Sequence, residues 1–335
     1  MKYLIKSHPI LSYLILTFSI SWFCWFLPMF IEIERDILFG INFVGILGPP
    51  ISAFVLLHSL SGAKIKIDSK KLFLIFFLVC VAIVFLRLYS VETGGRDWNG
   101  FYPKLSDIRL IGYVLPLLCC FFLGLNASNA LNKNLKENYI KTLLFEKRKI
   151  KWYLFALLFY PFLFASSFLI GQLFDFPTSD SLIEFDTTFI IGFLMLLFIA
   201  GGTEEFGWRG FLQKEIQKKY NPLLTILFVG FLWSLWHLPM YFNGVYSTDG
   251  FSAYFSSIPH TLQITVLFTW LYNKSSYSIL AVMILHSMNN NVGYIFGVSY
   301  IPAMILAVVI VVILIIDNKM WKRKNYAEEI YSNNL

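Results

Sequence analysis

The feature that most constrains this chain is the recurrence of apolar runs about as long as a lipid bilayer is thick, separated by short polar stretches. A hydrocarbon core about 30 Å thick is crossed by about 20 helical residues. Runs bounded by charge fall at 9–31, 37–60, 72–90, 108–127, 152–172, 188–203, 222–241, 258–273, 277–297 and 300–316. In lipid every backbone N–H and C=O must find a partner within the protein, so runs of this length and spacing predict helices. The expected fold is all-α: a polytopic transmembrane bundle of about ten spans, counted as 8–10. Mean hydropathy of +0.66 and only 14% charged residues agree with an integral, multi-pass membrane protein and exclude a soluble one. Gly48-Pro49-Pro50 falls within the second run, where a proline pair should kink or break the helix.

The formal net charge of +7 does not indicate a nucleic-acid partner, because the basic residues lie between apolar runs instead of forming one patch. They act as topology determinants. With ten spans, 22 of the 27 Lys and Arg residues fall on the side that carries both termini, which the positive-inside rule assigns to the cytoplasm. The loop 128–151, with Lys133, Lys136, Lys141, Lys147, Arg148, Lys149 and Lys151, dominates that face; Asp175, Asp180, Glu184 and Asp186 lie on the other. Cys24, Cys80, Cys119 and Cys120 lie inside apolar runs without metal-ligand spacing and read as packing thiols. The first apolar run is too long for a signal peptide and lacks a small-residue cleavage site, so it is expected to be a retained helix. Three regions follow: N-terminal helices over 1–187, a core over 188–297, and a last helix with its tail over 298–335.

Three of the later runs carry polar residues that are expensive in lipid. The sixth flows into Gly201-Gly202-Thr203-Glu204-Glu205-Phe206-Gly207-Trp208-Arg209, which puts two carboxylates at, or just inside, a membrane boundary. Glu205 and Arg209 are four apart on a helix and face each other, an ion pair. Glu204 is turned about 100° away without a local cation. It is left free for chemistry, and removal from water makes it a stronger proton acceptor. Alone, the pair reads equally as a solvated helix end.

The seventh run holds Trp233 and His237, and the ninth holds His286 and Asn290, four apart on one face. Each histidine alone is an ordinary hydrogen-bonded core residue, but with the acidic pair they read as one converging polar site. A carboxylate and an imidazole can polarise a water, while a second imidazole and an amide can donate to the oxyanion formed at a carbonyl. The same groups offer an alternative, a divalent metal such as zinc held by Glu204, His237 and His286, although no HExxH motif is present. His8, His58 and His260 stand outside this set.

Glu204 to Arg209 matches EExxxR, Trp233 to His237 is an aromatic-xxx-His element close to FxxxH, and His286 to Asn290 matches HxxxN. In this order the three motifs resemble the CAAX protease and bacteriocin-processing (CPBP) family of intramembrane endopeptidases. The resemblance implies that Glu204 and His237 activate water, that His286 and Asn290 form an oxyanion hole, and that Glu205 and Arg209 hold the site together. It further implies eight or so helices around a cavity open to the cytoplasm, a glutamate or metallo-endopeptidase, and a membrane-bound or lipidated peptide or protein as substrate. The resemblance leaves the metal question open, and the expectation here is that no cofactor is required, with a divalent metal such as zinc as the alternative. Trp233 replaces the usual Phe, which bears on the fine shape of the cavity. The Ile-, Lys-, Phe- and Asn-rich composition suggests a prokaryotic cell membrane. A non-catalytic membrane partner with an immunity or regulatory role is the alternative; retention of all four catalytic positions disfavours it.

Overall fold

A computed structural model of the chain describes residues 2–95, 101–129, 132, 135, 145–178, 187–246, 249–292 and 299–323. Among them no strand occurs, and the longer helices are α1 (Pro9–Phe26), α2 (Arg35–Ile46), α3 (Gly48–Ser61), α4 (Lys70–Glu92), α5 (Val114–Ser128), α6 (Ile150–Leu173), α7 (Thr187–Phe198), α8 (Pro222–Trp236), α9 (Phe251–Lys274), α10 (Ile279–Val292) and α11 (Tyr300–Asp317). Each of the ten apolar runs corresponds to one helix or, for the second, to a broken pair. Lys133, Lys136 and Lys141 of the basic loop, Asp180, Glu184 and Asp186, residues 293–298 and the tail from 324 lie outside the described residues.

Seven helical segments are long and apolar enough to cross a membrane, and α2 with α3 makes an eighth when read as one broken span. The two remaining runs account for the difference from ten. α9 is 24 residues long but is diluted by serines, threonines, Gln263 and His260; α10 has 14 described residues, short of a full crossing. The break between α2 and α3 bends the chain by 47° at Leu47. Pro49 and Pro50 occupy the first turn of α3, where the missing N–H groups have no intrahelical partner to lose.

How deeply each helix is buried shows which ones face lipid. Half or more of the apolar window is buried inside the bundle for Thr187–Gln217 (56%) and Pro222–Phe242 (50%), against 6% for α11. The segment richest in charge motifs is therefore the innermost one. It is flanked by α3, α8 and α10, while α4 and α5 pack together to one side.

Hydrogen bonds tie the basic end of the bundle together. Lys149 Nζ donates to Ser276 O (3.2 Å), Asn221 Nδ2 to Trp321 O (3.0 Å) and Arg323 Nη2 to Lys218 O (3.0 Å). At the other end Arg109 grips the buried Asp36 through Nε and Nη2, both at 2.9 Å, and Ser299 Oγ donates to Pro177 O (3.0 Å).

The sequence sets the Glu204/Glu205 pair at, or just inside, a membrane boundary, and the structure buries the pair within the bundle, which excludes a solvated helix end. The helical run does not stop at Gly202 but continues to Gln217, and every residue from Gly201 to Gln213 is buried. Glu204 thus lies roughly 20 Å from the basic end of its own run, taking about 1.5 Å per residue. The reason is packing: Phe206, Trp208, Phe211 and Leu212 interleave with the charged residues and belong to the main hydrophobic core.

Candidate active site

The local backbone explains how two adjacent acids point apart. α7 ends at Phe198, Ala200 is extended, and Gly201 takes φ +41°, a left-handed value that glycine adopts without the steric penalty a Cβ would bring. A 3₁₀ turn over Gly201–Glu204 leads into one α-turn, Glu205–Gly207, and a π-helical turn, Trp208–Gln213. Irregular turns of this kind inside helices recur at functional sites.

Glu205 is fully buried and serves two partners. Arg209 Nη1 lies 3.0 Å from its Oε2, the expected pair at four-residue spacing, and His286 Nδ1 lies 2.7 Å from its Oε1. The contact with His286 spans 81 residues and was not legible from spacing. A carboxylate only accepts, so Nδ1 of His286 carries a proton and its Nε2 is turned towards Gly201. The Arg209 guanidinium sits 5.0 Å from the ring centroids of both Trp233 and Phe268, so two aromatic faces partly replace the water it gave up.

Glu204 is held differently. Its Oε2 accepts a 3.0 Å hydrogen bond from Trp233 Nε1, 29 residues away. Trp233 also touches both histidines: ring centroids lie 5.6 Å from His237 and 5.3 Å from His286. His237 caps the end of α8, where its Nδ1 lies 2.9 Å from Trp233 O, a carbonyl that otherwise accepts only a longer bond, 3.4 Å, from the His237 backbone N–H. Since a carbonyl accepts only, Nδ1–H is the donor. In the neutral ring this leaves Nε2 with a lone pair. Leu238-Pro239 then opens a short helix, Leu238–Phe242, and Tyr246 packs on the His237 ring at 5.4 Å.

Asn290 is half-buried one turn beyond His286. Its Oδ1 accepts from Asn289 Nδ2 (2.9 Å), which orients the amide and leaves Nδ2 as a donor. A Cβ built on Gly201 would lie 3.3 Å from Asn290 Nδ2 and 3.5 Å from His286 Nε2, so both nitrogens converge on one point beside the Gly201 backbone. All seven residues singled out in the sequence therefore meet around Trp233 and Gly201. Gly201, Phe268 and Tyr246 were missed; the Gly-Gly pair was the available signal for the first. The three ligands of the metal alternative are not gathered as a group: among the described residues, no three His, Cys, Asp or Glu side chains are placed to hold one ion. Glu204 Oε2 and His286 Nδ1 are already engaged by Trp233 and Glu205.

The helices before residue 187 build the wall of this site. Tyr13 of α1 packs against Trp208 and Phe211, with ring centroids at 6.0 and 5.2 Å, and Trp25 lies 4.6 Å from Trp236. Trp22 Nε1 donates to Trp236 O (3.1 Å) and Asn243 Nδ2 to Trp25 O (3.2 Å), so α1 is bonded on both sides of the turn that carries His237.

Residues 186–292, which contain every one of these candidate side chains except those contributed by α1, match the family described as type II CAAX prenyl endopeptidase Rce1-like. Over these residues the chain is similar to the CAAX protease and bacteriocin-processing family. It is similar to CAAX prenyl protease 2 of Methanococcus maripaludis, with 26% identity over 278 residues, covering 77% of this chain and 97% of that relative. A match of that length extends well into the helices that precede residue 186. With its apolar helices, the chain is an integral membrane protein that is similar to a family of endopeptidases.

Proposed function

We propose that this protein hydrolyses a peptide bond in a membrane-associated or lipidated peptide or protein, using a water activated by Glu204 and His237. The observation that carries the reading is the convergence of His286 Nε2 and Asn290 Nδ2 beside Gly201, next to a carboxylate and an imidazole that share Trp233. Glu204 and His237 Nε2 take a proton from the water, and its oxygen bonds to the scissile carbonyl carbon. The carbonyl oxygen becomes an oxyanion and accepts hydrogen bonds from His286 and Asn290. The proton then passes to the amide nitrogen, the C–N bond breaks, and an amine and a carboxylate leave.

For His286 to donate from Nε2 as well as from Nδ1 its ring must be the imidazolium, and the Glu205 carboxylate beside it is the counter-charge such a cation needs when buried. A divalent ion is not required by this scheme. The basic face of the bundle is read as cytoplasmic, in a prokaryotic cell membrane, and the depth of Glu204 means that the substrate segment must reach well inside the bundle.

The test is cleavage of membrane-anchored peptides by detergent-purified protein. Glu204→Gln and His286→Ala should each lower kcat by roughly 100-fold or more. Turnover unchanged in both variants would overturn the assignment.

A further inference from the structure

We infer that Trp233 is the positioning residue for the water-activating pair, holding Glu204 through its indole N–H and His237 through its own carbonyl. This rests on the reading of Glu204 and His237 proposed above. The geometry is specific. The indole Nε1 donates to Glu204 Oε2 at 3.0 Å, and Trp233 O accepts from His237 Nδ1 at 2.9 Å. One residue therefore reaches both partners from opposite ends of its structure, and Glu204 Oε1 and His237 Nε2 are outside these two contacts.

The indole is itself fixed. Trp233 is 2% exposed, its ring lies 5.9 Å from Phe268 and 5.3 Å from His286, and the Arg209 guanidinium stacks 5.0 Å from its centroid. A donor on a ring so confined aims one carboxylate oxygen without losing further side-chain freedom, which is what a preorganised site requires. Phenylalanine would keep a smaller aromatic ring between Phe268 and His286 and would leave Glu204 Oε2 without this donor. The carbonyl contact to His237 belongs to the backbone and survives any substitution at 233, so the two halves of the role separate experimentally.

The test compares wild type with Trp233→Phe and with 3-benzothienylalanine placed at position 233, an isostere of tryptophan in which sulfur replaces the indole N–H. Glu204→Gln serves as the reference, and the substrate is a membrane-anchored peptide that wild type cleaves. Both 233 variants should lose about 10- to 100-fold in kcat, the range for removing a hydrogen bond to a charged group. KM should stay within about twofold, and the acid limb of the pH–rate profile should move to higher pH, because the ionised form of the base has lost a donor. The isostere keeps the packing, so a folding failure of Trp233→Phe does not decide the matter. Wild-type kcat and an unmoved acid limb in the benzothienyl variant overturn the role of Trp233. Full activity in Glu204→Gln overturns the underlying mechanism instead.

Discussion

Glu205 Oε1 accepts a 2.7 Å hydrogen bond from His286 Nδ1 while its other oxygen lies 3.0 Å from Arg209 Nη1, so one fully buried carboxylate joins a local ion pair to a distant catalytic candidate. Removing it leaves Arg209 without a counter-charge in the core. Glu205→Ala is expected to destabilise the protein by about 3–5 kcal/mol, whereas Glu205→Ala combined with Arg209→Met should recover much of the loss. Thermal unfolding in detergent of the two single variants and the double variant measures this. Equal melting temperatures for Glu205→Ala and wild type would refute the shared role.

Gly201 has positive φ and lies against the two nitrogens assigned to the oxyanion. Gly201→Ala should cost roughly 1 kcal/mol of stability from the backbone alone. It should also reduce kcat by about 100-fold or more, because the new methyl occupies the space where the oxyanion would sit. Activity assays beside melting curves separate the two effects. A variant that melts lower yet turns over normally would show that the space beside Gly201 is not the oxyanion position.

Much of this arrangement was legible in the sequence, and the limits have physical causes. Apolar run length predicted the long helices, and four-residue spacing predicted the Glu205–Arg209 pair and the shared face of His286 and Asn290, because both are properties of a single helix. The contacts between helices were not legible. Nothing local to Glu204 or Trp233 marks their hydrogen bond across 29 residues. The burial of the site was not legible because charge at the end of an apolar run ordinarily means water; here Phe206, Trp208 and Phe211 continue the buried face past the acids.

The α1 helix is expected to matter for catalysis although no motif lies on it. Trp22→Phe and Asn243→Ala each remove one hydrogen bond that fixes the turn carrying His237, at about 0.5–1.5 kcal/mol of stability apiece. Each should lower kcat several-fold with KM little changed. Steady-state kinetics of the two variants and their combination provide the check, and rates at the wild-type level in all three would dissociate α1 from the site.

Gly207 sits where α1 and α3 close on the buried acidic segment. A Cβ there would meet the Tyr13 hydroxyl and approach Pro49 Cβ at 2.6 Å and the Pro49 carbonyl carbon at 2.7 Å, so backbone as well as side chain would have to move. Gly207→Ala should destabilise by about 1–3 kcal/mol, and Tyr13→Phe should relieve only the part due to the hydroxyl. Chemical denaturation in detergent would register both; a neutral Gly207→Ala would mean that α1 and α3 are not packed against this segment.

Activity is expected to survive thorough chelation, since the proposed scheme activates the water with Glu204 and His237 alone. Loss of turnover on chelation, restored by added zinc, would replace the water-activation scheme with a metal-bound one.

The central claim is that water, polarised by Glu204 and His237, attacks the scissile carbonyl directly. A single turnover in oxygen-18-labelled water, followed by mass spectrometry of the product and of the peptide containing Glu204, tests it most directly. The account predicts one labelled oxygen in the new carboxylate of the product, unlabelled Glu204, and no product from Glu204→Gln. An unlabelled product carboxylate together with label in Glu204 would mean that the side chain had attacked the substrate itself, and would contradict the account.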